Sequence, residues 1–375
     1  MPELRPFRGI RYTQDDLDAI ACPPYDVISP EQQQALYDKH EHNAVRLELA
    51  QTEGEPHDYS AVNELFTSWL AEKTLAQDPR ETLYVYRQDF SAPDGTSKHV
   101  AGVIGALTLE PFGEGVLPHE RTMPGPIEDR LALMRACPVN ISPIFGIYRG
   151  RGSTDDLLAS VQGRTAVASA TDDAGVTHRL WAVTDPDEIA ALTQPLASVP
   201  LVIADGHHRY ETAVAYAAER GTPESARMMV VLVSTADPGL EIFPTHRVFA
   251  GRSDITPEGV EYATVQEAMR ALESEPYDRS SAVVVRAGRA ALVHGEPGEL
   301  DVELVDRFGH DGISYTPSLE DAVSAVDRGG ADVAFLLRPT RIEDVFERAR
   351  RGEVMPQKTT YFYPKLISGL LFHPV

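Results

Sequence analysis

Apolar residues at 62, 65, 66, 69 and 70 recur at three- and four-residue intervals. This predicts a helix over 59–75. Residues 43–49 alternate polar and apolar, which predicts a strand. Two further runs, 83–90 and 98–109, read as strands joined by a turn over 92–96, and so as a hairpin. Ser29 followed by Pro30 marks a helix start, with the serine as N-cap and the proline at the first helical position. Beyond residue 110, helices are expected over 128–136, 210–220, 318–326 and 342–351. Strands are expected over 143–148, 200–203, 228–234, 241–248 and 332–337, with a hairpin formed by 282–285 and 290–293 around Gly288. Residues 149–195 are polar and weakly periodic. They include GRGSTDD and ATDDAG and read as an inserted or peripheral piece, with a helix, a strand near 180–183 and another short helix. Helices and strands interleave along the whole chain, so the expected class is α/β (α+β).

Composition narrows the functional classes. The 375 residues carry a net charge of −23, with 42% hydrophobic and 24% charged residues. Such a chain has ample core material but no basic field to attract nucleic acid or anionic membrane. A local pocket for a small phosphate ligand remains compatible with that charge. Two cysteines, Cys22 and Cys137, lack metal-ligand spacing and read as buried thiols in a reducing compartment. The N-terminal MPELRPFRGIRY has no apolar run of the secretory kind, and no stretch reaches the length of a membrane span. A cytoplasmic protein is expected, and the sequence leaves room for a homodimer.

The chemistry concentrates in a few places. ADGHHRYETA, residues 204–213, follows a short apolar strand and opens a helix. A helix N-terminus offers backbone N–H groups and partial positive charge to an anion. Gly206 allows close backbone approach, and His207, His208 and Arg209 could grip phosphate. Asp205 could orient a histidine, bind a divalent cation or cap the helix. A second constellation is His119-Glu120-Arg121-Thr122, in a loop rich in Pro and Gly from 110 to 126. A Glu flanked by His and Arg suits a general base, a metal ligand or a salt-bridged loop anchor. His246-Arg247, after Thr245, reads as an ion-paired strand end or a further site contributor. Residues 358–361 could reach a ligand or form a docked tail. His207 and His208 lack zinc-site spacing, and no P-loop or dinucleotide-binding fingerprint is present.

In order, H-E, a helix, P-I with an apolar strand, and D-G-H-H-R-Y-x-x-A resemble the ParB/sulfiredoxin superfamily, and within it the free serine kinases. Along its whole length the chain looks like a SerK-like family of uncharacterised proteins, through RPFRG, PPYDVIS, LPHERTMPG, SPIFG, ADGHHRYETA, PTHR and TYFYPKL. The resemblance implies a ParB/sulfiredoxin-like nucleotide-binding core embedded in a larger mixed α/β chain. It divides the chain into an N-terminal domain (1–104), the nucleotide-binding domain (105–250, with an insertion at 149–198) and a C-terminal domain (251–375). It also implies an Mg²⁺-dependent phosphotransferase using ATP or ADP on a small hydroxylated metabolite, with free L-serine the first choice. Glu120 would be the base, beside His119, and Asp205 would lie near the metal or the reacting hydroxyl. Gly206, His207, His208, Arg209 and Thr212 would hold the nucleotide, with Arg121, Thr122, His246 and Arg247 as further candidates. The alternative is a non-catalytic nucleotide-binding regulator of the ParB type. A sulfiredoxin-like repair enzyme would want a Cys where this chain has His207.

Overall fold

The apolar runs Ser97–Thr108 and Arg227–Ser234 pair antiparallel in the middle of a mixed sheet. The computed structural model describes residues 2–51, 58–92, 95–150 and 154–375. Its contacts fall into two compact units, Met1–Leu240 with Pro364–Val375, and Glu241–Tyr363.

The first unit is built on this sheet, which has nine strands among the described residues. The order is Val116–Leu117, Leu201–Asp205, Ile144–Tyr148, Arg227–Ser234, Ser97–Thr108, Leu83–Ser91, Thr177–Val183 and Ala168–Thr171, with Leu4–Arg5 pairing Ser97–Thr108 as well. Ile144–Tyr148 runs parallel to Arg227–Ser234 and antiparallel to Leu201–Asp205. Helix His207–Arg220 covers one face, burying Tyr210, Ala213 and Tyr216 in a core with Ile144, Ile203 and Leu232. Burial on this scale is the main favourable term holding the sheet together, at about 25 cal/mol per Å² of apolar surface.

The second unit has its own six-stranded sheet, in the order Val260–Tyr262, Arg289–Pro297, Arg279–Arg286, Val333–Leu336, His246–Phe249 and Ile313–Thr316. Its core includes Val283, Val285, Leu292 and Leu336. Both sheets mix with helices along the chain, as an α+β reading requires.

Several expectations change. Residues 43–49 are not a strand. Val45–Glu48 is one turn of helix. The Asn43 side chain accepts from the Val45 N–H at 3.0 Å, and the Leu47 and Glu48 N–H groups close on the Ala44 carbonyl. A side chain that offers the backbone a local partner favours a turn over a ladder, and seven alternating residues cannot reveal it. The stretch 241–248 is two strands, because Pro244 lacks an N–H. Glu241–Phe243 pairs Tyr361–Tyr363, while His246–Phe249 lies inside the six-stranded sheet. The helix expected at 128 begins at Pro124. Ser29 is the N-cap of helix Pro30–Lys39, with a reciprocal bond from Gln32.

The contact pattern also differs from a division at 104, 250 and 149–198. Residue 104 lies inside the strand Ser97–Thr108. The segment 149–198 supplies Ala168–Thr171 and Thr177–Val183 to the main sheet, with Trp181 opposite Val85. Segments that share a ladder share a core and cannot be separated there. The hairpin turn at Pro93 and Asp94, and Arg151-Gly152-Ser153 of GRGSTDD, lie outside the described residues. Cys22 and Cys137 are free and buried, and burial pushes the Cys137 thiol up to about 12. Among the described residues no helix is long and apolar enough to cross a membrane.

Candidate functional site

Strand Leu201–Asp205 carries four buried apolar residues and then Asp205. A register shift between Ile203 and Asp205 marks a bulge there, the usual device for re-aiming a side chain at a strand end. The backbone then turns at Gly206, with φ +94°. A Cβ here would come within 2.8 Å of Ile144 Cγ2 and 3.1 Å of Arg209 Nη2, so both the dihedral and the space require glycine. Helix His207–Arg220 begins at once. Having no side chain, Gly206 leaves the first-turn N–H groups without a side-chain cap.

The loop bearing the second motif docks onto this helix start. His119 is buried, and its Nδ1–H donates to the Ile203 carbonyl at 2.7 Å. The backbone N–H of His119 donates to His207 Nε2 at 3.3 Å, and the two rings meet edge to face with centroids 4.6 Å apart. The Thr122 hydroxyl donates to the Glu211 carboxylate. The Met123 N–H donates to His208 Nε2 at 2.9 Å. These hydrogen bonds join residues 84 to 89 positions apart. Glu120 is half-buried within the docked loop, and Arg121 is exposed.

Charge is concentrated on Asp205. Its Oδ1 accepts from Lys365 Nζ at 2.5 Å and its Oδ2 from Arg209 Nη2 at 2.7 Å. Burial pushes this carboxyl up, but Lys365 and then Arg209 outweigh it and hold it well below the usual carboxylate range. Arg209 is itself buried. Its Nη1 donates to the Pro143 carbonyl at 2.6 Å and to Ser142 Oγ at 3.2 Å. Ser142 in turn donates to Glu48 Oε1 at 3.1 Å, which also accepts the Tyr25 N–H at 3.3 Å. Thus PPYDVIS, SPIFG, ADGHHR and the C-terminal YPKL segment meet around one buried chain of hydrogen bonds. Burial lowers His119 to about 4 and holds His207 well below its ordinary value, so both rings are neutral at pH 7.

Thr212 lies elsewhere than the loop contacts. It is 1% exposed, its hydroxyl has no hydrogen-bond partner, and it lines a small, partly open pocket of about 40 Å³ with Glu48, Arg130, Asn140, Ser142 and Arg209. That volume suits one or two water molecules rather than a nucleotide.

The expected metal at Asp205 does not fit the residues present. Each carboxylate oxygen already accepts from a full cation. Mg²⁺ at about 2.0–2.1 Å from either oxygen would be pressed against positive charge. Among the described residues no group of three or more His, Cys, Asp or Glu could hold a metal ion.

His246 and Arg247 belong to the second unit and are used within it. His246 Nδ1 accepts the Leu337 N–H at 3.1 Å, and burial lowers the ring to about 4. Arg247 is 1% exposed and donates to the carbonyls of Thr245, Gln357 and Lys358, the last at 3.1 Å. Lys358 sits at φ +56°, and Tyr361–Tyr363 is a paired strand, so this segment is docked. Sequence reasoning missed Lys365, Glu48 and Ser142 as members of the first-unit constellation. The available signal was their presence in or beside the quoted SPIFG and TYFYPKL segments and the polar strand-like run at 43–49.

No curated protein matches the chain. Among solved structures, a conserved hypothetical protein from Pyrococcus furiosus aligns over 67% of this chain and 89% of its own, at 17% identity and a TM-score of 0.37. A free serine kinase in complex with AMP aligns over 66% of this chain and 83% of its own, at 16% identity and a TM-score of 0.36. SbnI with a C-terminal truncation, from Staphylococcus aureus, aligns over 71% and 85%, at 11% identity and a TM-score of 0.37. At the level of sequence families, residues 4–309 match DUF1015, described as a protein of unknown function, and the chain belongs to that family.

Proposed function

We propose that the first unit binds a nucleotide by its phosphates at the Asp205–His208 turn and transfers a phosphoryl group to a small hydroxylated metabolite. Free L-serine, giving O-phosphoserine, is the first choice of acceptor, and ATP or ADP is the donor. The observation that carries this reading is the docking of the His119-Glu120 loop on the helix that begins at His207. The loop that carries the half-buried Glu120 is thereby held against a phosphate-binding type of helix start, which supports a role for this residue there. Phosphoryl transfer asks mainly for positioning and charge neutralisation. In this reading the first-turn N–H groups and His208 meet the phosphates, while Arg209 and His207, both buried and bonded, hold the turn in shape. Glu120 takes the acceptor hydroxyl proton. Any Mg²⁺ would arrive on the nucleotide phosphates, not on Asp205. The setting is the cytoplasm, and the ligands are the nucleotide and a small acceptor.

The test is phosphoserine formation from ATP or ADP and L-serine, followed by phosphorus NMR, for wild type and Glu120→Gln. Activity undiminished in Glu120→Gln would remove Glu120 from the role. A second reading is a regulator of the ParB type that binds a nucleotide without turning it over. The saturation of Asp205 by two cations favours it, because such a site grips charge without seating a metal. Calorimetry with ATP, ADP and CTP separates the two, since tight binding with no turnover across a panel of hydroxylated acceptors supports the regulator.

A further inference from the structure

Lys365 lies 160 residues from Asp205 in sequence, yet its ammonium nitrogen is 2.5 Å from the Asp205 carboxylate. Three further facts place it at the centre of the constellation. Its positive charge is among the influences that disfavour protonation of both His119 and His207. Its backbone carbonyl accepts from Gln88 Nε2 at 2.8 Å, so the main chain is fixed at this point. Buried Leu366 and Ile367 follow it directly and anchor the segment in the first unit. The side chain itself remains 20% exposed, so an incoming ligand can reach it. Arg209, by contrast, is only 8% exposed at its side chain, and three of its hydrogen bonds are to Asp205, Ser142 and Pro143.

We propose that Lys365 is the cation that a bound phosphate meets, and that Asp205 holds this ammonium in place rather than holding a divalent metal. The inference rests on the reading of this turn as a nucleotide-phosphate site. A lysine is a compact point charge with three rotatable donors. It can keep one N–H on Asp205 and turn another to a phosphate oxygen. The arrangement supplies neutralising charge at the place where the sequence led us to expect Mg²⁺. It follows that binding of the nucleotide to the protein does not need a metal bridge through Asp205.

The experiment is calorimetric titration of the full chain with ADP, once in EDTA and once in Mg²⁺. The variants are Lys365→Gln, Lys365→Arg and Asp205→Asn, with thermal melts as a check on folding. Wild type should bind ADP in EDTA. Lys365→Gln should weaken binding about 10- to 100-fold under both conditions, the range expected for a hydrogen bond from a charged group. Lys365→Arg should recover part of the loss, because it keeps the charge. Asp205→Asn should bind more weakly, with the same ratio of affinities in Mg²⁺ and EDTA as wild type. Affinity in Lys365→Gln equal to wild type overturns the proposal. So does wild-type binding that vanishes in EDTA together with an Asp205→Asn variant indifferent to Mg²⁺. If Lys365→Gln does not fold, Lys365→Arg and Asp205→Asn decide through the same ratio. Failure of wild type to bind ADP under either condition overturns the phosphate-site reading itself.

Discussion

The dipeptide His-Arg occurs three times; at 208–209 in the first unit and at 246–247 in the second, two settings put it to different uses. At 208–209 it sits in a strand-to-helix turn. The histidine accepts an N–H from a loop 85 residues away, and the arginine pairs with Asp205. At 246–247 it sits inside a six-stranded sheet. There the histidine accepts the N–H of Leu337, just past the neighbouring strand, and the arginine donates to backbone carbonyls. Both arginines are buried and both histidines are bonded, so residue type and burial alone do not mark a site. What separates the two is convergence. Four sequence motifs meet at Arg209, whereas Arg247 ties together pieces of its own unit.

The contrast can be tested first with acid. Burial lowers His119 and His373 in the first unit, and His246 in the second, to about 4. The unfolded chain takes up these protons near 6.5 while the folded chain does not. Stability is therefore complete above about pH 6.5 and falls as pH drops toward 4, by about 3 kcal/mol for each such histidine. Hydrogen exchange followed from pH 7 to pH 4.5 should show the first unit losing protection more steeply than the second. Equal slopes would break the comparison.

Arginine removal is the next largest effect. Arg209→Met leaves Asp205 with one cation and should cost about 3 kcal/mol, abolishing ADP binding as well. Arg247→Met leaves carbonyls without donors and should cost about 2 kcal/mol, with ADP affinity unchanged. Denaturant melts combined with titration would show whether stability and binding separate in this way. Gly206→Ala forces an L-residue into a left-handed conformation against Ile144, and should cost about 2 kcal/mol with weakened ADP binding. The smallest effect is expected at Thr212. Thr212→Val removes a buried hydroxyl that has no partner, so stability should change by less than about 1 kcal/mol. ADP affinity should stay at the wild-type value, and a tenfold drop would return Thr212 to the nucleotide.

Much of this was legible in the sequence. The strand expected over 200–203, its single glycine and the helix expected over 210–220 follow from an apolar run, a turn residue and helical spacing; the structure has all three, with the strand at Leu201–Asp205 and the helix starting earlier, at His207. The Ser29 cap was readable because its partners are local. Long-range use of a side chain was not readable. Nothing near Lys365 in sequence announces Asp205, and nothing near Glu48 announces Ser142. Thr212 was expected at the nucleotide through the resemblance alone. Only packing shows that it faces a small pocket. Alternation misled at 43–49, where a side chain–backbone bond decided the local shape, and a proline split the run at 241–248.

The way the loop is fastened has a consequence for where protons sit. His207 and His208 each accept a main-chain N–H at Nε2. A neutral imidazole that accepts at one nitrogen must carry its hydrogen on the other, so both rings are the Nδ1–H tautomer. His119 is also protonated at Nδ1, because its partner there is a carbonyl. Three neighbouring rings thus have a single proton each, in assigned positions. A second proton on His207 or His208 would set N–H against N–H and unfasten the loop. The same atoms that position Glu120 therefore make its attachment a latch closed by neutral rings.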